Sequence, residues 1–274
     1  MNLGQAKGHW ALVTGASAGI GREFCHQLAA AGMNVAMVAR RQTRLQELSD
    51  ELAQTHGVKT LSIALDLSKP HAPAEVKARL DHEGIKLRLL CNNAGIGFIG
   101  RFEQQTLEAY EAMLRLNNAA MVALCWHMLP DLASHPTSAV INVSSQAAYF
   151  PMPFMAMYGA TKAFVHSFSQ ALYGEWRERG VLVQTLVPCH TATEGSALFD
   201  QQTGVRGQPP AQVVQIALEH LAKCSPIATN VKGLYKQRLF GGIAPTKLII
   251  DTVAKMWRAY ADRTDHQGAP RDGA

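Results

Sequence analysis

Trp10-Ala11-Leu12-Val13-Thr14-Gly15-Ala16-Ser17-Ala18-Gly19-Ile20-Gly21 is a short apolar run that breaks on glycine. A helical pattern follows, with Phe24, Leu28, Ala29 and Ala31 apolar and Gly32 placed as a C-cap. The next apolar run, Val35-Ala36-Met37-Val38-Ala39, reads as a strand buried in a parallel sheet. Strand, glycine turn, helix, strand is a βαβ unit. Glycines at such a turn let the backbone approach a diphosphate, and the helix N-terminus behind it favours anions. The spacing is GxxxGxG, not the GxGxxG of other dinucleotide folds.

Outward from this unit the pattern repeats. Strands are expected at 60–65, 87–92, 139–143 and 182–187, with helices over 41–54, 73–84 and 106–130 between them. That alternation predicts a doubly wound parallel α/β sheet of about seven strands. The second strand ends on Arg40 and Arg41, where an acid would bond a ribose 2′-hydroxyl and favour NAD. Two guanidiniums suit a 2′-phosphate instead, so NADP(H) is the expected cofactor, with NAD(H) the alternative. Arg40 is the preferred contact, since Arg41 also starts a solvated helix. Asp66, followed by Leu67, ends the third strand and either accepts from an adenine amino group or caps the turn at Ser68-Lys69-Pro70. Asn92-Asn93-Ala94-Gly95 closes the fourth strand with small residues and amides that would pack beneath a cofactor. Asn117 and Asn118 interrupt the helix over 106–130. A backbone kink holding a water next to Lys162 is one job for Asn117, while Asn118 reads as a surface amide.

The fifth strand delivers Ser144 and Ser145 to the carboxyl edge, where ligands bind in open α/β sheets. Tyr158 and Lys162 are four residues apart and share a helix face. A phenol beside a fixed ammonium has its anion stabilised and its pKa lowered. With a serine hydroxyl on the same oxygen, the trio can protonate a carbonyl or deprotonate an alcohol. YxxxK alone is common on ordinary helices, so its company is what gives it weight.

Composition excludes several classes. The chain has 274 residues, 47% of them hydrophobic, and a formal charge of +5 without a dense Lys/Arg run, so no nucleic-acid partner is expected. Five scattered cysteines without CxxC or Cys/His ligand spacing argue against a metal site and suit a reducing cytoplasm. The first nine residues are too short and polar for a secretory leader, and no apolar run reaches the roughly 18–20 residues that span a bilayer.

These pieces together resemble the short-chain dehydrogenase/reductase family, over about residues 10–193. The carrying motifs are TGxxxGxG at 14–21, Asp66, Asn92-Asn93-Ala94-Gly95, Asn117, Ser145 and Tyr158/Lys162. The resemblance implies a Rossmann-type fold and a nicotinamide dinucleotide held by Gly15, Ser17, Ala18, Gly19, Ile20, Gly21, Arg40, Arg41, Asp66, Leu67, Asn93, Ala94, Gly95, Tyr158, Lys162, Pro188, Thr191 and Thr193. It implies Tyr158 as acid/base, Lys162 lowering its pKa and binding the nicotinamide ribose, and Asn117 in a proton relay. Ser145 orients the substrate, because it, not Ser144, lies 13 residues before Tyr158. The family's usual Pro-Gly after the sixth strand is Pro188-Cys189 here, and a Cβ at that point limits positive φ.

Residues 191–207 read as a polar lid. A helix from Pro209-Pro210 to Cys224, a short strand within 226–233 and an amphipathic helix over 245–260 follow. The last, with Leu248, Ile249, Val253, Met256 and Trp257 apolar, resembles a helical extension found in a bacterial branch of the family; its apolar face is expected to pack on its own chain, the other readings being a cover over the active site, a subunit contact or a membrane surface. The expected organisation is one domain over 1–262, with the extension at about 233–262 and a disordered tail over 263–274. Phe98, Tyr149, Phe150, Met152, Phe154, Met155 and Met157 gather near Tyr158 and suggest an adaptable apolar pocket. The expected reaction is NADPH-dependent reduction of a small or medium apolar carbonyl substrate, or its reverse, by a homodimer or homotetramer. The alternatives are an NAD-dependent alcohol dehydrogenase and a non-catalytic nucleotide sensor.

Overall fold

The computed structural model describes residues 3–197, 200–201, 204–229 and 245–264. Seven strands form one sheet: β1 (Trp10–Thr14), β2 (Asn34–Ala39), β3 (Thr60–Ala64), β4 (Leu87–Asn92), β5 (Ser138–Val143), β6 (Val181–Val187) and β7 (Ile227–Thr229). All pairings are parallel, in the order β3-β2-β1-β4-β5-β6-β7. The helices are α1 (Gly19–Ala30), α2 (Gln42–His56), α3 (Ala72–His82), α4 (Leu107–Leu114), α5 (Ala120–Ala133), α6 (Ala156–Trp176), α7 (Pro210–Ala222) and α8 (Thr246–Thr264). The chain runs outward from β1 to β3, then returns to place β4 on the other side of β1. That reversal opens a crevice at the carboxyl ends of β1 and β4.

Side chains alternate across the strands, so each sheet face has its own core. Ala11 and Val13 point to one face, against Phe24 and Leu28 of α1, Leu45 and Leu48 of α2, and Val214 and Ala217 of α7. Leu12 points to the other, with Val76 and Leu80 of α3, Leu124 and Met128 of α5, and Leu172 and Trp176 of α6. Each fully buried Leu or Phe contributes on the order of 1.5–3 kcal/mol, which keeps the sheet edge below the crevice rigid.

Three features depart from the sequence reading. The helix expected over 106–130 is not continuous: a π-helical turn, Arg115–Ala119, separates α4 from α5. Such turns often mark functional positions, and this one buries both Asn117 and Asn118. Asn118 is therefore not a surface amide, since its Nδ2 donates to the Thr161 carbonyl at 3.0 Å. Arg41 precedes α2 as its N-cap, and its side chain turns back toward the glycine turn. The expected strand within 226–233 is described only as β7, and its remainder, with 234–240 and residues from 265, lies outside the described residues.

The amphipathic pattern near the C-terminus is a helix, and its apolar face does pack on its own chain. Ile249 and Val253 are buried against Ala147 and Met152, with Phe150, Met155, Tyr158 and Trp257 around them.

Candidate active site

The glycine turn is built for close approach. Gly15 adopts φ +67° and Gly19 φ +54°, both in the left-handed region that disfavours a side chain. A Cβ on Gly21 would strike the Gly15 carbonyl and lie 2.5 Å from Asn93 Nδ2. Asn93 Nδ2 donates to the Thr14 carbonyl at 2.9 Å, while the backbone N–H groups of Asn93 and Ala94 donate to Thr14 Oγ1, each at 3.0 Å. The ends of β1 and β4 are thus stitched together under the turn. No side chain caps the N-terminus of α1 at Ala18. An uncapped helix N-terminus behind a glycine-rich turn fits the diphosphate of a dinucleotide.

Ser145, Tyr158 and Lys162 meet beside this cradle. Ser145 lies two residues past β5 and is half-buried, whereas Ser144 is buried and spends its hydroxyl on the Lys162 carbonyl at 2.8 Å. Ser145 is therefore the serine that faces the phenol. Lys162 is buried, its Nζ donating to the Val143 carbonyl at 2.9 Å and lying 5.7 Å from the Tyr158 ring centroid. Burial pushes the Lys162 ammonium down to about 8. The Tyr158 phenol is shifted upward by desolvation, and a side-chain hydrogen bond with Ser145 offsets part of that rise. The lowering of Tyr158 by Lys162 that the spacing implied is absent here: burial dominates, and the Ser145 hydrogen bond is what opposes it.

Asn117 spends its amide on the loop after β4. Its Oδ1 accepts from Ile96 N at 2.9 Å, and its Nδ2 donates to Ile96 O at 2.9 Å and Thr161 Oγ1 at 3.0 Å. Thr161 Oγ1 in turn donates to the Tyr158 carbonyl at 2.8 Å. The π-turn thus holds both the loop and the first turn of α6. Gly95 sits between Asn117 and Lys162, where a Cβ would lie 3.2 Å from Asn117 Oδ1 and 3.4 Å from Lys162 Nζ. Gly97 lies against the Tyr158 ring.

The two arginines at the end of β2 point to different places. Arg40 is exposed. Arg41 reaches back to the cradle, with Nη2 3.0 Å and Nε 3.2 Å from Ser17 Oγ, and its Nη1 meets Glu194 at 2.9 Å. Arg41, not Arg40, is the guanidinium fixed beside the glycine turn. Asp66 accepts from Ser68 N at 2.9 Å, the turn-capping reading. Burial raises its pKa, but the Ser68 hydrogen bonds and the Arg40 charge outweigh this and leave the carboxyl low. Leu67 is buried behind it.

After β6, Pro188 O accepts from Gln146 N at 3.4 Å, and Thr191 is buried with its hydroxyl donating to the Cys189 carbonyl at 2.9 Å. Thr193 packs its methyl over Gly19. Among the described residues only Phe154 and Cys224 combine a side chain with positive φ, so Cys189 carries no such strain. It packs with Val187, Tyr149 and Ile227.

The aromatic and methionine cluster splits. Phe98, Phe154, Met155 and Met157 line a small pocket that ends at Tyr158, joined by Tyr110 and Met113 of α4. The Phe154 carbonyl, at φ +67°, accepts from Gly100 N at 2.8 Å and pins the two loops together. Phe150 and Met152 instead meet α8. Sequence reading missed Glu194 and Thr161, and it marked Ile249, Val253 and Trp257 of α8 only as the apolar face of a helix. Apolar periodicity marked α8 as amphipathic, but no sequence signal paired it with the Tyr158 loop. Among the described residues no group of three or more His, Cys, Asp or Glu is placed to hold a metal, and no helix is long and apolar enough to cross a membrane.

Known proteins are similar to this chain in sequence and fold. Residues 9–203 match the family described as short chain dehydrogenase. A 7beta-hydroxysteroid dehydrogenase of Collinsella aerofaciens is 34% identical over 230 residues, covering 81% of this chain and 86% of that one. A very-long-chain 3-oxoacyl-CoA reductase of Bos taurus is 31% identical over 198 residues, 70% of this chain, but that match spans only 62% of the bovine protein. Among solved structures, a short-chain dehydrogenase from Sphingobium yanoikuyae in complex with NADPH superposes with TM-score 0.76 at 29% identity, covering 97% of each chain. A 7beta-hydroxysteroid dehydrogenase structure reaches TM-score 0.82 at 30% identity over 93% of this chain and 100% of that one. On its glycine turn, its sheet order and these matches, the chain belongs to the short-chain dehydrogenase family of oxidoreductases.

Proposed function

We propose that this chain reduces a ketone flanked by apolar groups to the secondary alcohol, or catalyses the reverse, with NADP(H) preferred and NAD(H) also accepted. The observation that carries the reading is the convergence of Ser145 and Lys162 on Tyr158, which ends an apolar pocket, beside a glycine-rich diphosphate cradle. The names of relatives acting on steroid alcohols, and of a structural neighbour from Comamonas testosteroni described as bulky-bulky ketone specific (27% identical, TM-score 0.74), support an apolar substrate. Arg41 held on Ser17 supports a 2′-phosphate.

Residues Gly15 to Gly21, Asn93 to Gly95, Thr191 and Thr193 would hold the dinucleotide, which supplies the hydride when bound. The rest of the work falls to this chain. Ser145 holds the substrate oxygen, and Tyr158 protonates it on reduction. The high phenol pKa suits an acid that keeps its proton until the oxygen gains charge. Lys162 lies close enough to stabilise the phenolate left behind and to return a proton from solvent, while Asn117 holds Ile96 and Thr161 in place around it. The pocket walls exclude water. In the test, Tyr158→Phe should lose about 10²–10⁴-fold in turnover while calorimetric binding of 2′,5′-ADP stays within twofold. Retained turnover in that variant would remove Tyr158 as the acid.

The same reading makes the active form a homodimer or homotetramer in the cytoplasm. Leu114, Trp126 and Phe164 on α4, α5 and α6 are exposed, and Phe164 stacks on Phe168 at 5.8 Å. These helices are the contact surfaces proposed. Light scattering on a Trp126→Glu, Phe164→Glu variant should show a smaller particle than the parent; an unchanged mass would move the interface elsewhere.

A further inference from the structure

Glu194 stands where the chain leaves β6 for α7, in the single 3-10 turn Glu194–Ser196. Its carboxylate bridges two guanidiniums. One oxygen meets Arg41 Nη1 at 2.9 Å and the other meets Arg44 Nη1. Arg41 holds Ser17 at the same time, so Glu194, Arg41 and the glycine turn form one connected set. The residue before it, Thr193, lies over Gly19, where a Cβ would fall 2.9 Å from its methyl carbon. The loop after β6 therefore rests on the cradle at two adjacent points. Hydrogen bonds from Arg41 and then Arg44 hold the Glu194 carboxyl below the ordinary glutamate range.

Two guanidiniums around one oxyanion is an arrangement that a phosphate monoester satisfies as well as a carboxylate does, and with more charge. All three side chains keep solvent access, at 31% for Arg41, 43% for Arg44 and 56% for Glu194, so a ligand can exchange with the carboxylate without unfolding anything.

We propose that Glu194 is an internal competitor for the 2′-phosphate of NADPH. Its carboxylate occupies the Arg41–Arg44 pair in the unliganded chain and yields it when the phosphate arrives. Glu194 is thereby a specificity-determining residue that weakens the selectivity its two arginine partners would otherwise impose. This rests on the NADPH reading above. The exchange also frees the loop bearing Thr193 from its second anchor, so the loop's contact with the glycine turn is linked to the presence of a 2′-phosphate.

The test titrates 2′,5′-ADP and 5′-AMP calorimetrically into the full chain and its Glu194→Gln variant. The variant keeps the side-chain volume and removes the charge. Exposed ion pairs are individually weak, so 2′,5′-ADP should tighten about three- to tenfold in the variant while 5′-AMP stays unchanged. Unchanged or weaker binding of 2′,5′-ADP overturns the proposal. Equal tightening of both ligands also overturns it, because that would be a general opening of the cradle. A parent chain that binds the two ligands alike overturns the NADPH reading itself, and this inference with it. A parent that prefers 2′,5′-ADP, with no change in the variant, removes only the role of Glu194.

Discussion

Lys162 Nζ donates to the Val143 carbonyl at 2.9 Å, tying α6 to the last residue of β5. The bond holds a charged group inside the protein, and burial has drawn its pKa from 10.5 to about 8. Below pH 8 the ammonium is protonated in folded and unfolded chains alike and penalises the fold. Between about 8 and 10.5 the folded chain is the first to give up the proton, so the penalty lifts as pH rises. The full shift corresponds to a cost on the order of 3 kcal/mol, against about 1 kcal/mol for the hydrogen bond it makes.

Lys162→Met is therefore expected to lose turnover yet match or exceed the parent's stability at pH 7. The gap between variant and parent should close as pH rises from 8 to 10.5. Denaturant unfolding at a series of pH values measures this. Taking the difference cancels the buried thiols of Cys25 and Cys91, whose raised pKa values act in the opposite sense. A variant less stable than the parent by the same amount at every pH would count against a buried ammonium.

Ser144 and Ser145 are adjacent and should fail in opposite ways. Ser144→Ala removes a buried hydroxyl from the Lys162 carbonyl and should cost about 1 kcal/mol of stability, with turnover changed only a few-fold. Ser145→Ala should leave stability within about 0.5 kcal/mol and cost about 10²–10³-fold in turnover, the scale for one donor to a developing oxyanion. Thermal unfolding and steady-state kinetics on both variants decide the pair; the reverse outcome would exchange their roles.

Gly97 is a steric control on Tyr158. A Cβ there would sit 2.9 Å from Tyr158 Cδ2 and 3.2 Å from Cε2. Gly97→Ala must push the ring, and a displacement approaching 1 Å can cost on the order of 10²-fold. The loss should fall on kcat, with 2′,5′-ADP binding unaltered. Wild-type kcat in this variant would show that the ring position is not critical.

Val253 backs the loop that leads into Tyr158 and is expected to bear on the substrate side through it. It is buried against the loop that carries Met152, in a cluster that includes Tyr158. Val253→Ala should raise KM for bulky apolar ketones several-fold more than for a small one such as acetone, because the lost contact is apolar and local. Equal effects on both substrates would place α8 outside the pocket.

Much of the fold was legible before any coordinates. Each strand from β1 to β6 lay within a residue or so of its apolar run, since parallel strands buried on both faces leave continuous hydrophobic stretches. The break between α4 and α5 was only half legible. Two asparagines flagged an irregularity, but a π-turn and a normal helix share the same apolar spacing over so short a span. The position of the Arg41 side chain was not legible, because its place next to α2 gave no sign that it would reach 24 residues back to Ser17. Glu194 was invisible for the same reason, lying 153 residues from Arg41.

By itself, the sequence determined the parallel sheet, the glycine turn and the presence of a serine, tyrosine and lysine at the carboxyl edge. These follow from local periodicity, from residue types with few conformational substitutes and from fixed spacing along one strand and one helix. Only the tertiary structure decided which arginine faces the cradle, which acid opposes it, what α8 covers and which way the phenol pKa moves. Those depend on burial and on contacts between segments far apart in the chain, and neither leaves a local pattern to read.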